Sequence, residues 1–228
     1  MKRSEINCAL RKLEQMCRNY RFYLPPFCKL SPEDWKQAGH EYDEVRECML
    51  GWDITDFGSG DFSKVGLSLI TIRNGCRTNE KKYPKVYAEK IMYLDEGQQC
   101  PNHFHWYKTE DIINRGGGNL LIKAYNSLPD ESIDKVNPVT VHSDGRTYQV
   151  PAGGCVKLTP GESLWITQGM YHSFFPEEGT GPVLVGEVSQ CNDDNTDNRF
   201  NPPRGRFPAV DEDEPAYRLL CNEYPAAE

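Results

Sequence analysis

Residues 100–111 read CPNHFHWYKTED, placing two of the chain's five histidines one residue apart and a glutamate five positions after the second. Side chains two apart on a strand share a face. His103 and His105 can therefore present two imidazoles to one ion from the inside of a barrel. Glu110 can return a carboxylate to the same place after a turn through Trp106 and Lys108. Neutral imidazoles with a carboxylate, and no thiolate pattern beside them, suit Mn, Fe, Zn, Ni or Co. The bland alternative is two ring-bearing surface residues in a polar loop. It loses ground once a further histidine can be named: His172, in ITQGMYHSFFP (166–176), opens a strand-like stretch just after a glycine turn. His142 belongs to neither pattern and reads as a loop residue.

The surrounding chain has the texture of an antiparallel sheet protein. From residue 66 onward, GLSLITIRNG, KVYAEKIMYL, NLLIKAYNS, TYQVP, GCVKLTP, ESLWITQG, YHSFFP and GPVLVGEVS are short apolar or alternating stretches broken by Gly, Pro, Asn and Asp. Close spacing without intervening helices predicts a sandwich or barrel. HSDGRTY (142–148) predicts a tight hairpin, because Asp144-Gly145 suits a primed turn. Ahead of the strands, Ile6, Leu10, Leu13, Cys17 and Tyr20 recur at helical spacing, with Ser4 as the expected cap. LPPF (24–27) stops that helix. SPEDWKQAGH (31–40) predicts a short second one with a Ser31 cap, and His40 at its C-terminal end. The expected organisation is one mainly β domain: a helical cap over 1–60, a β-barrel core over 61–190 and a polar, Pro-rich extension over 191–228.

Composition narrows the function. The net charge of −8 leaves no basic excess to neutralise phosphates, which argues against a nucleic-acid partner. The run Lys81, Lys82, Lys85 reads as a solvated loop. Nine cysteines, an odd number with no CxxC, make neither a disulfide framework nor a zinc finger. Cys8 and Cys17, on the first helix's apolar stripe, read as small core residues. MKRSEINCALRKLEQM lacks the apolar segment of a signal peptide, and no apolar run is long enough to span a bilayer. A cytoplasmic protein with reduced thiols is expected.

The spacing Gly97, five residues, His103-Phe104-His105, four residues, Glu110, six residues, Gly117 matches the first motif of the cupins. Gly161, five residues, Thr167-Gln168-Gly169, two residues, His172 resembles their second, with Thr167 where the pattern has proline and Pro176 where it has asparagine. A cupin-type double-stranded β-helix (jelly-roll) barrel is therefore expected. The N-terminal helical cap, AEKIMYLDEGQQCPNHFHWYKTEDIINRGGGNL and GEVSQCNDDNTDNRF carry a closer likeness: the whole chain resembles the D-lyxose isomerases. The resemblance implies interconversion of D-lyxose and D-xylulose, and of D-mannose and D-fructose. It also implies a Mn²⁺-dependent homodimer with metal ligands at His103, His105, Glu110 and His172.

Such a reaction moves a proton between C1 and C2 through a cis-enediol, so it needs a cation to polarise two oxygens and an acid/base pair. On KVYAEKIMYL, Lys90 is the one charged residue on a face shared with Val86, Ala88, Met92 and Leu94. A lysine on an apolar face is costly without a partner or a task. Glu187 shares the inward face of the last long strand with Val183 and Val185, and is expected as the base. Lys90 and Lys108 are its expected oxyanion or hydroxyl partners, with Glu110 the alternative proton shuttle. Asp193, Asp194, Asp197 and Arg199 are expected to close over the sugar, as the resemblance implies. The rivals are a metal-dependent cupin dioxygenase, which wants an apolar cavity, and a non-catalytic sugar-binding cupin, which would normally carry a basic helix pair absent here.

Overall fold

The computed structural model describes residues 1–227; residue 228, the last of the expected extension, lies outside them. Helix α1 (Arg3–Asn19) buries Ile6, Leu10, Leu13 and Cys17, the stripe its spacing predicts. Two members of the expected stripe depart from it. Tyr20 falls beyond the last turn and is exposed, and Cys8 faces out. Ser4 does not cap the helix. Lys2 occupies that position, while the Ser4 amide and hydroxyl donate to the Asp213 carboxylate at 2.8 and 2.7 Å. The returning C-terminal segment supplies what the cap would have. It also brackets the buried Arg3 guanidinium between Glu212 and Glu223, each 2.6 Å away.

Helix α2 (Pro32–Gln37) starts as expected: Ser31 and Asp34 form a capping box, each accepting from the other's amide. It ends three residues before His40. That histidine instead opens a 3₁₀ turn (His40–Tyr42) leading into α3 (Asp43–Glu47), with its Nδ1 3.1 Å from Asp43. Its place is set by a side-chain partner rather than by a helix terminus.

Among the described residues there are fourteen strands: β1 (Gly51–Thr55), β2 (Leu67–Arg73), β3 (Tyr87–Leu94), β4 (Cys100–Phe104), β5 (Glu110–Gly117), β6 (Leu120–Ser127), β7 (Ile133–Asp134), β8 (Val139–Ser143), β9 (Arg146–Val150), β10 (Cys155–Leu158), β11 (Ser163–Ile166), β12 (Tyr171–Pro176), β13 (Val183–Gln190) and β14 (Arg199–Phe200). They form two antiparallel sheets, ordered β1-β2-β3-β13-β5-β11-β8-β9 and β10-β6-β12-β4-β14, with β7 paired to β6. The inward faces meet in one core that includes Leu69, Met92, Ile112, Ile122, Val141 and Phe174. This is the mainly β, curled two-sheet barrel the patterning predicts. The β8–β9 hairpin turns at Asp144 and Gly145, both with positive φ (49° and 77°), as a primed turn requires. His142 is not in a loop but on β8, opposite Trp165 of β11.

The expected boundaries shift in one respect. Strand β1 lies inside the 1–60 segment expected to be helical, and pairs along its whole length with β2. GWDIT is short and begins with glycine, so it carries no alternation long enough to read. The outer faces of β1–β3 then receive α1, through Ile54, Ile70, Ile91 and Tyr93 against Ile6, Leu10 and Leu13. The polar extension is stitched into the same body: Leu220 bridges Trp52, and Arg206 pairs with Asp53 on β1.

Candidate metal centre and active site

Strands β4 and β12 are neighbours, and their register sets His103 directly opposite His172. His105 follows β4 by one residue, on the same face as His103. The three imidazoles offer nitrogens that all lie within 4.8 Å of one another, and all three residues are buried. Each ring is held the same way. The Nδ1 atoms of His103, His105 and His172 stand 2.9, 2.7 and 3.1 Å from the backbone oxygens of Pro101, Asp197 and Met170. Donation there fixes the tautomer and leaves every Nε2 lone pair free for a metal.

Glu110, the first residue of β5, brings Oε1 to 3.3 Å from His105 Nε2 and 3.1 Å from His172 Nε2. Those two nitrogens are buried and have no hydrogen-bond partner. A carboxylate oxygen against lone pairs of neutral imidazoles is repulsive unless a cation or proton lies between them. The residues present therefore fit a divalent ion bound by three histidines and Glu110. The turn through Thr167 and Gly169 forms despite the missing proline: the Met170 amide donates to Thr167 O and the Gly169 amide to His105 O.

Burial disfavours charge on His103 and, together with Lys108, on His105, so both imidazoles are pushed below their ordinary range. Burial opposes ionisation of Glu110 too, but the Lys108 ammonium outweighs it and holds the carboxyl well below the usual range. Lys108 is likewise buried, yet Glu110 and Glu187 raise it above an ordinary lysine. Neutral His103 and His105 with an ionised Glu110 are in the protonation state a metal requires.

Next to the centre, β3 and β13 place Lys90 and Glu187 opposite each other in register, both buried. Lys108, on the β4–β5 loop, reaches Glu187 Oε1 at 2.8 Å and Glu110 Oε2 at 2.7 Å. Lys90 approaches the same Glu187 oxygen at 3.5 Å. Among the described residues, Glu187 Oε2 accepts no hydrogen bond, whereas Glu110 turns Oε1 toward the two imidazoles and Oε2 toward the Lys108 ammonium, an ion-pair contact without hydrogen-bond geometry. The cavity that joins these groups to the histidines is closed by Phe57, Met92, Phe174 and Phe200 and by the polar Asp194, Asn198 and Arg206.

Of the four residues expected to close over a sugar, only Asp194 lines this cavity. Burial would raise its carboxyl, but Arg206, Lys90 and Lys108 hold it well below the usual range. The other three are occupied elsewhere. Asp193 accepts from the Asn195 amide and the Thr196 hydroxyl, shaping its own turn. The Asp197 carboxylate accepts the amides of Tyr107 and Lys108 at 2.8 and 3.0 Å, so it fixes the loop that carries Lys108. Arg199 meets Glu131 at the surface. Sequence reasoning missed Arg206, Asp53 and Asn192. Arg206 is half-buried between Asp53 and Asp194, 3.0 Å from the latter. Asn192 accepts from Lys90 and Lys108. NPPRGRFP and CNDDNTDN contain no spacing that would single either out.

The site is thus a buried three-histidine cluster that could hold a metal, inside a β barrel, with Glu110, Glu187 and two lysines beside it. The profile of the D-lyxose isomerase family matches residues 1–224, and the chain belongs to that family of isomerases. It is 47% identical over 225 residues to the D-lyxose/D-mannose isomerases of Serratia proteamaculans and of Escherichia coli O157:H7, covering 98% of this chain and of each relative. The D-lyxose/D-mannose isomerase of Thermosediminibacter oceani is 28% identical over 166 residues, 70% of this chain and 82% of that protein. Among solved structures, the L-ribose isomerase of Cellulomonas parahominis has a TM-score of 0.59 at 16% identity, over 92% of this chain and 98% of that one. The L-ribose isomerase of Geodermatophilus obscurus reaches 0.61 at 15% identity with the same coverage. These two share the fold.

Proposed function

We propose that the protein interconverts D-lyxose with D-xylulose and D-mannose with D-fructose by proton transfer through a cis-enediol, with Glu187 as the base. The observation that carries this reading is the asymmetry of the two buried glutamates. Glu110 turns Oε1 into the histidine cluster, where it would ligate the ion, while Glu187 stands off the histidines and accepts from Lys108 through Oε1 alone. A base needs an unengaged lone pair within reach of the carbon acid.

His103, His105, His172 and Glu110 would hold one divalent ion per chain. Mn²⁺ fits the donor set, as do Co²⁺, Zn²⁺, Fe²⁺ and Ni²⁺. Bound there, the ion would polarise the sugar's carbonyl and adjacent hydroxyl oxygens. In the aldose-to-ketose direction Glu187 takes the proton from C2 and the electron pair passes to the C1 oxygen, giving the cis-enediolate. The C2 hydroxyl proton then moves to the C1 oxygen, and Glu187 returns its proton to C1 as the C2 carbonyl forms. Lys90 and Lys108 flank Glu187 and supply the charge that keeps developing oxyanions bound. Asp194, Asn198 and Arg206 offer donors and acceptors to the remaining hydroxyls.

The chain works as a cytoplasmic homodimer in this reading. No helix among the described residues is long and apolar enough to cross a membrane. Incubating Mn²⁺-loaded protein anaerobically with D-lyxose tests the reaction. Accumulation of D-xylulose supports the reading; unchanged sugar contradicts it, and a requirement for dioxygen would point to oxygenase chemistry.

A further inference from the structure

Lys90 and Lys108 are two buried ammonium groups at one carboxylate, and Coulomb repulsion should drive them apart. What holds them together lies outside the metal centre. Asn192 Oδ1 accepts from Lys90 Nζ at 2.8 Å and from Lys108 Nζ at 3.1 Å. It is the hydrogen-bond acceptor of Lys90; the carboxylates of Glu187 and Asp194 stand farther off, at 3.5 and 3.6 Å. Asn192 follows β13 by two residues, in a polar stretch with no regular pairing of its own, so something must fix its backbone.

Asn74 does so. Its side-chain amide acts as a strand neighbour: Oδ1 accepts the Asn192 N–H at 2.9 Å, and Nδ2 donates to Asn192 O at 2.9 Å and to Cys48 O at 3.2 Å. Asn74 is buried, and the following Gly75 permits the approach. A Cβ at Gly75 would lie 1.8 Å from the Lys85 carbonyl oxygen and 3.2 Å from Cys191 Sγ. The Asn-Gly pair after β2 is therefore not a hairpin turn but a clasp between the ends of β2 and β13.

We infer that Asn192, locked by Asn74, is a positioning residue for the isomerisation: it holds the Lys90 and Lys108 ammonium groups side by side and keeps Lys90 from closing onto Glu187. Without the Asn192 oxygen, Lys90 finds its next partners in the Glu187 and Asp194 carboxylates. A Lys90 drawn onto Glu187 would compete for the lone pair that takes the substrate proton. The inference rests on the proposed function of Glu187.

Kinetics of Asn192→Ala test it. Displacement of a catalytic group by about 1 Å costs roughly 10²-fold. We expect kcat to fall by about that factor with KM changed by less than about threefold, since proton transfer suffers rather than sugar binding. Metal content should stay at the wild-type level. Asn74→Ala keeps the amide and frees its backbone, so kcat should fall by a smaller factor. Added to Asn192→Ala it should cost nothing further, because the two act as one unit. Wild-type kcat in Asn192→Ala, or losses from the two changes that multiply, would overturn the inference. A wild-type protein that converts neither D-lyxose nor D-mannose contradicts the proposed function instead. A crystal structure of Asn192→Ala, which needs no sugar, then decides the clamp: Lys90 Nζ moved toward Glu187 or Asp194 supports it, and an unmoved Lys90 refutes it.

Discussion

Lys90 on β3 and Glu187 on β13 stand opposite each other in register, with Lys90 Nζ 3.5 Å from Glu187 Oε1. Sheet register sets the two backbones opposite each other, and Asn192 on its loop fixes where the Lys90 ammonium lies between them. Burial of both groups in an apolar wall costs several kcal/mol per ion unless each is compensated. Lys108 and Asn192 provide that compensation on either side. An ion pair retained at such cost beside a cluster of histidines that could hold a metal is where proton transfer is expected.

Replacing Glu187 by Gln keeps the shape and removes the base. The turnover number should fall roughly 10²- to 10⁴-fold, the usual contribution of a positioned acid/base group. KM should move far less. Steady-state kinetics on D-lyxose check this; near-wild-type turnover in Glu187→Gln, with Glu110→Gln retaining metal but losing turnover, would make Glu110 the base.

The metal site makes a separate demand. A chelator should abolish activity and Mn²⁺ should restore it. The double variant His103→Ala/His105→Ala removes two of the four proposed ligands and should contain no stoichiometric metal by elemental analysis. Full occupancy in that variant would end the metal assignment.

Protonation of the metal-free protein has a predicted sign. Burial favours the neutral imidazole of His103 and His105, so both should stay uncharged at pH 6, where a free imidazole is mostly protonated. The folded-state values lie below the unfolded one, so between them the unfolded chain binds more protons. The metal-free fold should therefore lose stability as pH falls below about 6.5 and the unfolded histidines charge. Histidine ring NMR shifts that titrate near pH 6.5 for these two residues would contradict this.

Arg206 is a stability prediction. Its guanidinium joins Asp53 on β1 to Asp194 of the extension, with exposures of 12, 3 and 18% for the three side chains. Arg206→Ala leaves the buried Asp53 and the half-buried Asp194 without that cation and should cost about 3 kcal/mol. Thermal unfolding should show the loss as a melting temperature lower by several degrees.

The nine thiols should all be free in mass spectrometry under denaturing, non-reducing conditions, as they are in the structure. Cys8 and Cys155 are exposed and should react first with an alkylating reagent. Burial raises Cys17 and Cys28 to about 12, which leaves them slow.

The histidine pair, Glu110, Lys90 and Glu187 were legible because each sits on a strand or at its end, where a period of two tells inside from outside. That rule needs no long-range information. Arg206, Asp53 and Asn192 were not legible because their partners come from afar: Arg206 and Asp53 are 153 residues apart, and Lys90 and Asn192 are 102 apart. The same reason undid the Ser4 cap, whose place is taken by a contact with Asp213 across 209 residues. Asp193, Asp197 and Arg199 looked like substrate contacts because a polar run advertises hydrogen bonding without saying to what. Asp197 uses its carboxylate on two backbone amides, and so acts on the site through Lys108 rather than by facing the cavity.

The most direct test of the central claim is the reaction of D-lyxose in D₂O. A proton held by Glu187 exchanges with solvent before it is returned, so D-xylulose should carry deuterium at C1 and recovered D-lyxose should carry it at C2. NMR or mass spectrometry of the two sugars reads the result. Label at those carbons, lost together with turnover in Glu187→Gln, is the predicted outcome. D-xylulose formed free of deuterium would mean that hydrogen moves as a hydride without passing through a base, and would contradict the enediol mechanism.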